Sequence, residues 1–172
     1  MTAEREALRE KKRIVIKIGS SSLTHAQTGE VNLMKIEKLV RVISDLRGQG
    51  KDVVLVSSGA IGIGTKKLRL GERPTELRMK QAAAAVGQCR MMHIYDKLFA
   101  EYNRTVAQIL LTGEDVESPV RSEHLHNTFE ALLELGVIPV VNENDSVSSA
   151  EIETGQCKVL GDNDTLSAIV AR

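Results

Sequence analysis

The sequence contains few aromatic residues and few cysteines, and it carries no net charge. Aromatic residues make up 2% of the 172 residues, so the base-stacking surfaces of single-stranded nucleic-acid binders are not expected. Lys+Arg and Asp+Glu number 23 each, so no basic excess attracts nucleic acid to this segment. Cys89 and Cys157 fit no CxxC pattern, which is typical of reduced thiols in the cytoplasm. These features predict a cytoplasmic protein without a nucleic-acid partner.

Long hydrophobic runs are also missing. No stretch approaches the ~18 apolar residues of a membrane helix, so no membrane partner is expected. The first residues, MTAEREALREKKR, are charged throughout and lack the apolar centre of a secretory signal. Residues 1–12 are therefore predicted to form a flexible or helical arm. Residues 13–172, in a chain that is 42% hydrophobic, are predicted to form one folded domain.

Short apolar runs alternate with longer segments of helical periodicity. The predicted strands are residues 13–18, 52–56, 105–111 and 137–141, and the first is expected to be buried on both faces. The predicted helices are residues 32–47, 60–70, 75–102, 120–135 and 162–171, with a short hairpin or an excursion of the chain at 151–160. This alternation predicts an α/β fold with a mostly parallel sheet sandwiched by helices.

Three residues bear on the predicted helix of residues 32–47 and the predicted strand of residues 137–141. Asn32 is predicted to cap the helix of residues 32–47, and Gly48 is predicted to stop it. Pro139 weakens the fourth strand, because proline has no N–H to donate to a neighbouring strand.

Small and polar residues follow each predicted strand. They are Gly19–Ser22, Ser57–Gly59, Thr112–Gly113 and Asn142–Asp145. Ligands of parallel α/β sheets bind at the carboxyl ends of the strands, and small residues let backbone N–H groups approach an anion there. Any one of these segments would pass as an ordinary turn. Together they favour a phosphate or carboxylate site.

Lys17 is unusual because it interrupts the apolar run IVIKI two residues before Gly19. A buried ammonium group needs an anionic partner, so the lysine is either aimed at a phosphate or lies on an edge strand and extends into solvent. Both interpretations remain open at this point.

Familiar motifs fail in this sequence. Gly59–Lys66, GAIGIGTK, has P-loop glycine spacing but reverses the Lys-Ser/Thr order, and Lys67 replaces the third glycine of a dinucleotide fingerprint. No G-x-S-x-G elbow and no Cys/His set with zinc spacing is present in the sequence.

Six segments, taken in order, resemble the amino acid kinase family. They are VIKIGSSSL at 15–23, VVLVSSGAIGIG at 53–64, KQAAAAVGQCRMM at 80–92, QILLT at 108–112, VIPVVNENDSV at 137–147 and GDNDTLSA at 161–168. The NEND and GDND pair resembles the glutamate kinase branch in particular. The resemblance implies an amino acid kinase-like fold. In that fold residues 13–172 are the N-terminal, substrate-binding part, truncated before the nucleotide-binding half.

The resemblance also implies an activity. The family branch phosphorylates the side-chain carboxylate of L-glutamate with ATP and Mg²⁺, giving glutamyl 5-phosphate in the first step of proline biosynthesis. Proline as feedback inhibitor and a homo-oligomer are implied as well. The sequence has no segment that resembles the nucleotide-binding half of the family. This chain alone is therefore expected to be weakly active or inactive.

By the same resemblance, individual residues receive roles. Lys17 and Asp162 would be catalytic, Lys17 acting on the transferring phosphoryl group and Asp162 organising the catalytic lysines. Lys17, Gly19 and Ser20 would contact the phosphates of ATP. The substrate-binding residues would be Ser58, Gly59, Asn142, Asp145, Asn163 and Asp164. No protein ligand is assigned to a metal.

The residue types suit this chemistry. A carboxylate nucleophile has a pKa near ~4.3 and is already ionised at neutral pH, so no catalytic histidine or serine is required. The alternatives are a kinase acting on acetylglutamate, aspartate or carbamate, and a regulatory module that binds glutamate or proline without catalysis. A dinucleotide-binding domain is the weakest alternative.

Overall fold

The computed structural model describes residues 10–147 and 163–171, with only the backbone of Asn163. Its elements are β1 (Arg13–Ile18), α1 (Ser20–Leu23), α2 (Leu33–Gly48), β2 (Asp52–Ser57), α3 (Ala60–Lys67), α4 (Leu77–Ala100), β3 (Val106–Leu111), α5 (Gly113–Glu117), α6 (Pro119–Glu134), β4 (Ile138–Glu143) and α7 (Asn163–Val170). The predicted hairpin at 151–160, and residues 1–9 of the predicted arm, lie outside the described residues.

The four strands form one sheet in the order β1-β2-β4-β3, and every neighbouring pair is parallel. The predicted α/β fold with a parallel sheet is therefore confirmed. The expectation that β1 is buried on both faces is wrong. Within the described ranges β1 pairs only with β2, so it is an edge strand and its residues are exposed or half-buried.

Pro139 lies in the central strand β4 without disrupting it. The N–H of Ile138 donates to the carbonyl of Thr105, on the β3 side, at 2.9 Å. Because successive residues of a strand alternate direction, the nitrogen of Pro139 faces β2, where pairing begins only at Val140. The proline therefore removes no hydrogen bond from the sheet.

Helices cover both faces of the sheet, giving three layers. On one face α2, α3 and α4 pack against β2 and β4, with Tyr95 and Phe99 fully buried. On the other face α6 and α7 pack on the opposite side chains of the same strands, around Leu133 and Leu166. Among the described helices none is long and apolar enough to span a bilayer.

The ends of α2 show how local signals set the element. The side chain of Asn32 accepts a hydrogen bond from the N–H of Lys35 at 3.1 Å, which confirms the predicted N-cap. Gly48 is still helical. The left-handed residue after the helix is Gly50, with φ +80°, so the predicted stop was two residues early.

Helices α3 and α4 cross at two glycines. A Cβ built on Gly87 would overlap the carbonyl oxygen of Ala60 and lie 2.7 Å from the nitrogen of Gly64. A Cβ built on Gly64 would overlap the carbonyl of Ala83. The two backbones therefore touch directly, and the crossing depends on the absence of a side chain at both positions.

Candidate functional site

The carboxyl ends of the strands meet at one edge of the sheet. Ile18 pairs with Ser57, Val56 with Val141, and Leu110 with Asn142. The polar segments that follow β1, β2, β3 and β4 therefore lie side by side, as the parallel topology predicts. This edge is the candidate site.

Lys17 and Asp164 form an ion pair at this edge. The Nζ of Lys17 lies 2.7 Å from Oδ1 of Asp164, and the side chains are 32% and 72% exposed. The edge-strand interpretation of Lys17 is therefore confirmed, and its anionic partner in the structure is Asp164. A role for the lysine at a phosphate stays a prediction. Because the pair is largely in solvent, it contributes at most about 1 kcal/mol to stability. The ammonium group can therefore exchange its partner for a ligand at little cost.

The loops after β1 and β2 pack against each other. The hydroxyl of Ser58 donates to the carbonyl of Ile18 at 3.1 Å. Gly59 has φ +99° and begins α3, and a Cβ built on it would lie 3.0 Å from the Cβ of Ser20. Ser20–Leu23, predicted in part as a loop, forms the one-turn helix α1 directly after Gly19. Four predicted residues, Gly19, Ser20, Ser58 and Gly59, are thus brought together.

Asn142 and Asp145 belong to a second group, at the end of β4. Asn142 was predicted in the loop but lies within the strand, and its side chain is 2% exposed. Its Nδ2 donates to Oε1 of Gln88 on α4 at 3.0 Å. The N–H of Asn144 donates to the carbonyl of Leu111 at 2.7 Å, which ties the following turn to β3.

A cleft of about 430 Å³ opens beside this turn, between α4 and the ends of β3 and β4. Gln88, Asn144 and the half-buried Asp145 line it, together with alanines of α4. Sequence reasoning missed Gln88. The available signal was its spacing from Met91 and Tyr95, which places a polar residue on the buried face of α4.

A second buried contact joins α4 to the sheet, and it was also missed. The hydroxyl of Tyr95 lies 2.9 Å from Oγ of Ser57, the last residue of β2, and both side chains are fully buried. Burial raises the pKa of Tyr95 to about 12, although the hydrogen bond with Ser57 acts in the opposite direction.

The Tyr95 pKa predicts an alkaline loss of stability. An unfolded tyrosine ionises near ~10, so the native state retains its proton where the unfolded state has lost it, and stability should fall as pH rises from about 10 to 12. Chemical unfolding measured across this range should show the decline. Tyr95→Phe should remove the part of the decline that Tyr95 causes. An unchanged pH profile of stability in that variant would contradict a raised pKa of Tyr95.

Some predicted residues cannot be placed. Asp162 lies outside the described residues, and so does the side chain of Asn163. Across residues 10–147 and 163–171, no group of three His, Cys, Asp or Glu side chains is arranged to hold a metal ion.

Comparisons with known proteins identify the family. A family model described as the amino acid kinase family matches residues 12–172. A glutamate 5-kinase of Clostridium perfringens is 57% identical over 97% of this chain and 61% of its own length. A glutamate 5-kinase of Listeria innocua is 53% identical over 98% of this chain and 60% of its own length.

The chain therefore spans about 60% of the length of the curated relatives that it matches. Among solved structures, UMP kinase from Ureaplasma parvum superposes with a TM-score of 0.49 at 14% identity, covering 76% of this chain and 55% of its own. The family match covers nearly the whole chain, and the parallel sheet with flanking helices agrees with it. The chain belongs to the amino acid kinase family.

Proposed function

We propose that this chain forms the glutamate-binding part of a kinase that transfers a phosphoryl group from ATP to the side-chain carboxylate of L-glutamate. The product is glutamyl 5-phosphate, formed in the first step of proline biosynthesis. The observation that carries the proposal is the shared edge of the sheet, where a lysine near the end of β1, the serine-glycine loop after β2 and the asparagine and aspartate at and after the end of β4 lie on adjacent strands. The choice of L-glutamate as the substrate rests on the relatives, which are named glutamate 5-kinases.

The substrate is held by complementary charges and hydrogen bonds. Asp145 lies in the cleft and pairs with the ammonium group of L-glutamate. Ser58 and Gly59, at the start of α3, offer a hydroxyl group and backbone to a carboxylate. Asn163 and Asp164, at the start of α7, complete the proposed set of glutamate-binding residues, and Asp164 is paired with Lys17.

Phosphoryl transfer needs little proton chemistry in this site. The attacking carboxylate is already ionised, so the enzyme must align it with the phosphoryl group and stabilise the negative charge that spreads over the oxygens. Lys17 supplies a positive charge at the end of β1, and Gly19 and Ser20 place the backbone of α1 beside it. Asp164 holds the lysine in place until the phosphate arrives.

ATP would enter with Mg²⁺ bound to its phosphates. Magnesium commonly keeps several waters and takes few protein ligands, so the lack of an acidic cluster in the described ranges is compatible with that arrangement. No described residue is assigned to the metal. Feedback inhibition by proline, a homo-oligomeric assembly and a cytoplasmic location are parts of the same proposal.

Calorimetric titration of the chain with L-glutamate tests the proposal. L-Aspartate, N-acetylglutamate and carbamate serve as a comparison panel for the other amino acid kinases. Preferential binding of L-glutamate supports the assignment, and absence of L-glutamate binding, or stronger binding of another acid, contradicts it. Adding ATP and Mg²⁺ to the same preparation and measuring glutamyl phosphate then separates a kinase from a module that binds without turnover.

A further inference from the structure

Gln88 makes an amide–amide contact that the proposed roles do not include. It lies on α4, is 8% exposed, and accepts a hydrogen bond from Asn142 Nδ2 at 3.0 Å. The two residues are 54 positions apart in sequence, so the bond ties α4 directly to the end of the central strand β4. Asn142 lies three residues before Asp145.

The direction of this hydrogen bond determines what Asn142 offers a ligand. Because Nδ2 donates to Gln88, this hydrogen bond restrains the amide plane and leaves Oδ1 as the acceptor atom that Gln88 does not engage. A fixed acceptor oxygen suits a ligand that donates N–H, such as an ammonium group. A freely turning amide would offer donor and acceptor equally.

Stability alone does not explain Gln88. Its Nε2 is buried and has no hydrogen-bond partner among the described residues. A buried donor without a partner carries a free-energy penalty, which an apolar side chain of similar size would avoid. Gln88 and Asp145 line the same cleft, so the residue with the unpaired donor lies at the candidate site.

The backbone beneath Gln88 is held rigidly. The preceding residue, Gly87, touches the backbone of α3, and Tyr95, two turns further along α4, contacts Ser57 of β2. The glutamine therefore projects from a point that is fixed against α3 and against the end of β2. A side chain on such a backbone can hold a partner in one orientation.

We propose that Gln88 is a positioning residue for the binding of an amino acid in this cleft. It fixes the amide of Asn142 at the end of β4, and through it the turn that carries Asp145, so that Oδ1 of Asn142 and the carboxylate of Asp145 face the ligand's ammonium group. The proposal rests on the proposed function for the identity of the ligand, which is L-glutamate.

Side-chain amide signals in nuclear magnetic resonance test the positioning role directly. In the ¹⁵N-labelled chain the Asn142 amide protons should exchange slowly with solvent, and in Gln88→Met they should exchange rapidly, while L-glutamate affinity falls about fivefold. Gln88→Glu keeps an oxygen facing Nδ2 and should restore slow exchange. Gln108→Met is the matched control for the exchange measurement: Gln108 lines the same cleft but is exposed, and Asn142 exchange should stay slow in this variant.

The readouts separate the two proposals. Failure of the unmodified chain to bind L-glutamate overturns the proposed function, while the Asn142 signal still reports on Gln88. Unchanged exchange of Asn142 in Gln88→Met overturns the positioning role whatever the glutamate result. If Gln88→Met does not fold, the test is made in the unmodified chain. There, side-chain amide protons of Asn142 that exchange with solvent as fast as those of Gln108 would overturn the proposal.

Discussion

Replacing Gly87 with alanine should destabilise the fold by about 3 kcal/mol or more, the upper range for overpacking a core. The added Cβ would overlap the carbonyl of Ala60 and approach the nitrogen of Gly64, so backbone rather than a flexible side chain must move. Separating α3 from α4 would also loosen the packing of Ile63 and Met91 on the sheet. Urea unfolding followed by circular dichroism measures the loss.

Gly62→Ala is the matched control for this prediction. Gly62 lies in α3 between Ala60 and Gly64, the two residues that Gly87 approaches. It is exposed, and a Cβ built on it would have no atom within 4 Å. Because alanine favours a helix over glycine, this variant should gain up to about 1 kcal/mol. Equal effects of Gly87→Ala and Gly62→Ala would show that helix propensity, and not the close crossing, determines the result.

Replacing Asp145 with asparagine should weaken L-glutamate binding by about 10- to 100-fold, the range expected for loss of one hydrogen bond to a charged group. The side chain keeps its size and its place in the cleft, but the ammonium group loses its counter-charge. Calorimetry with L-glutamate measures the change. In a preparation that turns over, the KM for glutamate should rise far more than the KM for ATP.

Ser146→Ala controls for damage to the turn itself. The hydroxyl of Ser146 donates to Oδ1 of Asn144 at 2.6 Å, and the residue is exposed next to Asp145. This variant should bind L-glutamate within about threefold of the unmodified chain, because an exposed neutral hydrogen bond contributes little. A loss as large as that of Asp145→Asn would assign the effect to turn geometry, and equal effects on both KM values would exclude Asp145 as the ammonium partner.

The strands and long helices follow from local patterns, whereas their arrangement does not. Apolar runs identified all four strands, and Asn32 marked the start of α2 correctly. The order β1-β2-β4-β3 depends on which strands the crossovers bring together, so the sequence offered an edge position for β1 only as one of two interpretations of Lys17 and could not choose between them. Helix α5 was missed although Thr112 and Asp115 form a capping box at its start.

In the candidate site, too, some residues could be predicted from local sequence patterns and others could not. Lys17, Ser58 and Asn142 were placed near strand ends because each follows or lies near the end of an apolar run, which is a local property, and the family resemblance supplied their roles. Gln88 and Tyr95 were missed because their partners lie 54 and 38 positions away, and nothing in helical periodicity says which strand end will face them. The sequence thus predicts which residues reach the edge of the sheet, but not which side chains hold them there.

The adjacency of Gly87 and Gln88 has a consequence for engineering the substrate range. Libraries that randomise α4 near the cleft would alter the helix crossing and the amide contact together, so most members would be lost to unfolding before any new acid preference is tested. The turn after β4 lines the same cleft through residues 144–146 and is partly exposed, away from that crossing. Diversity placed in the turn should therefore yield more folded variants, and altered acid preference should be sought there first.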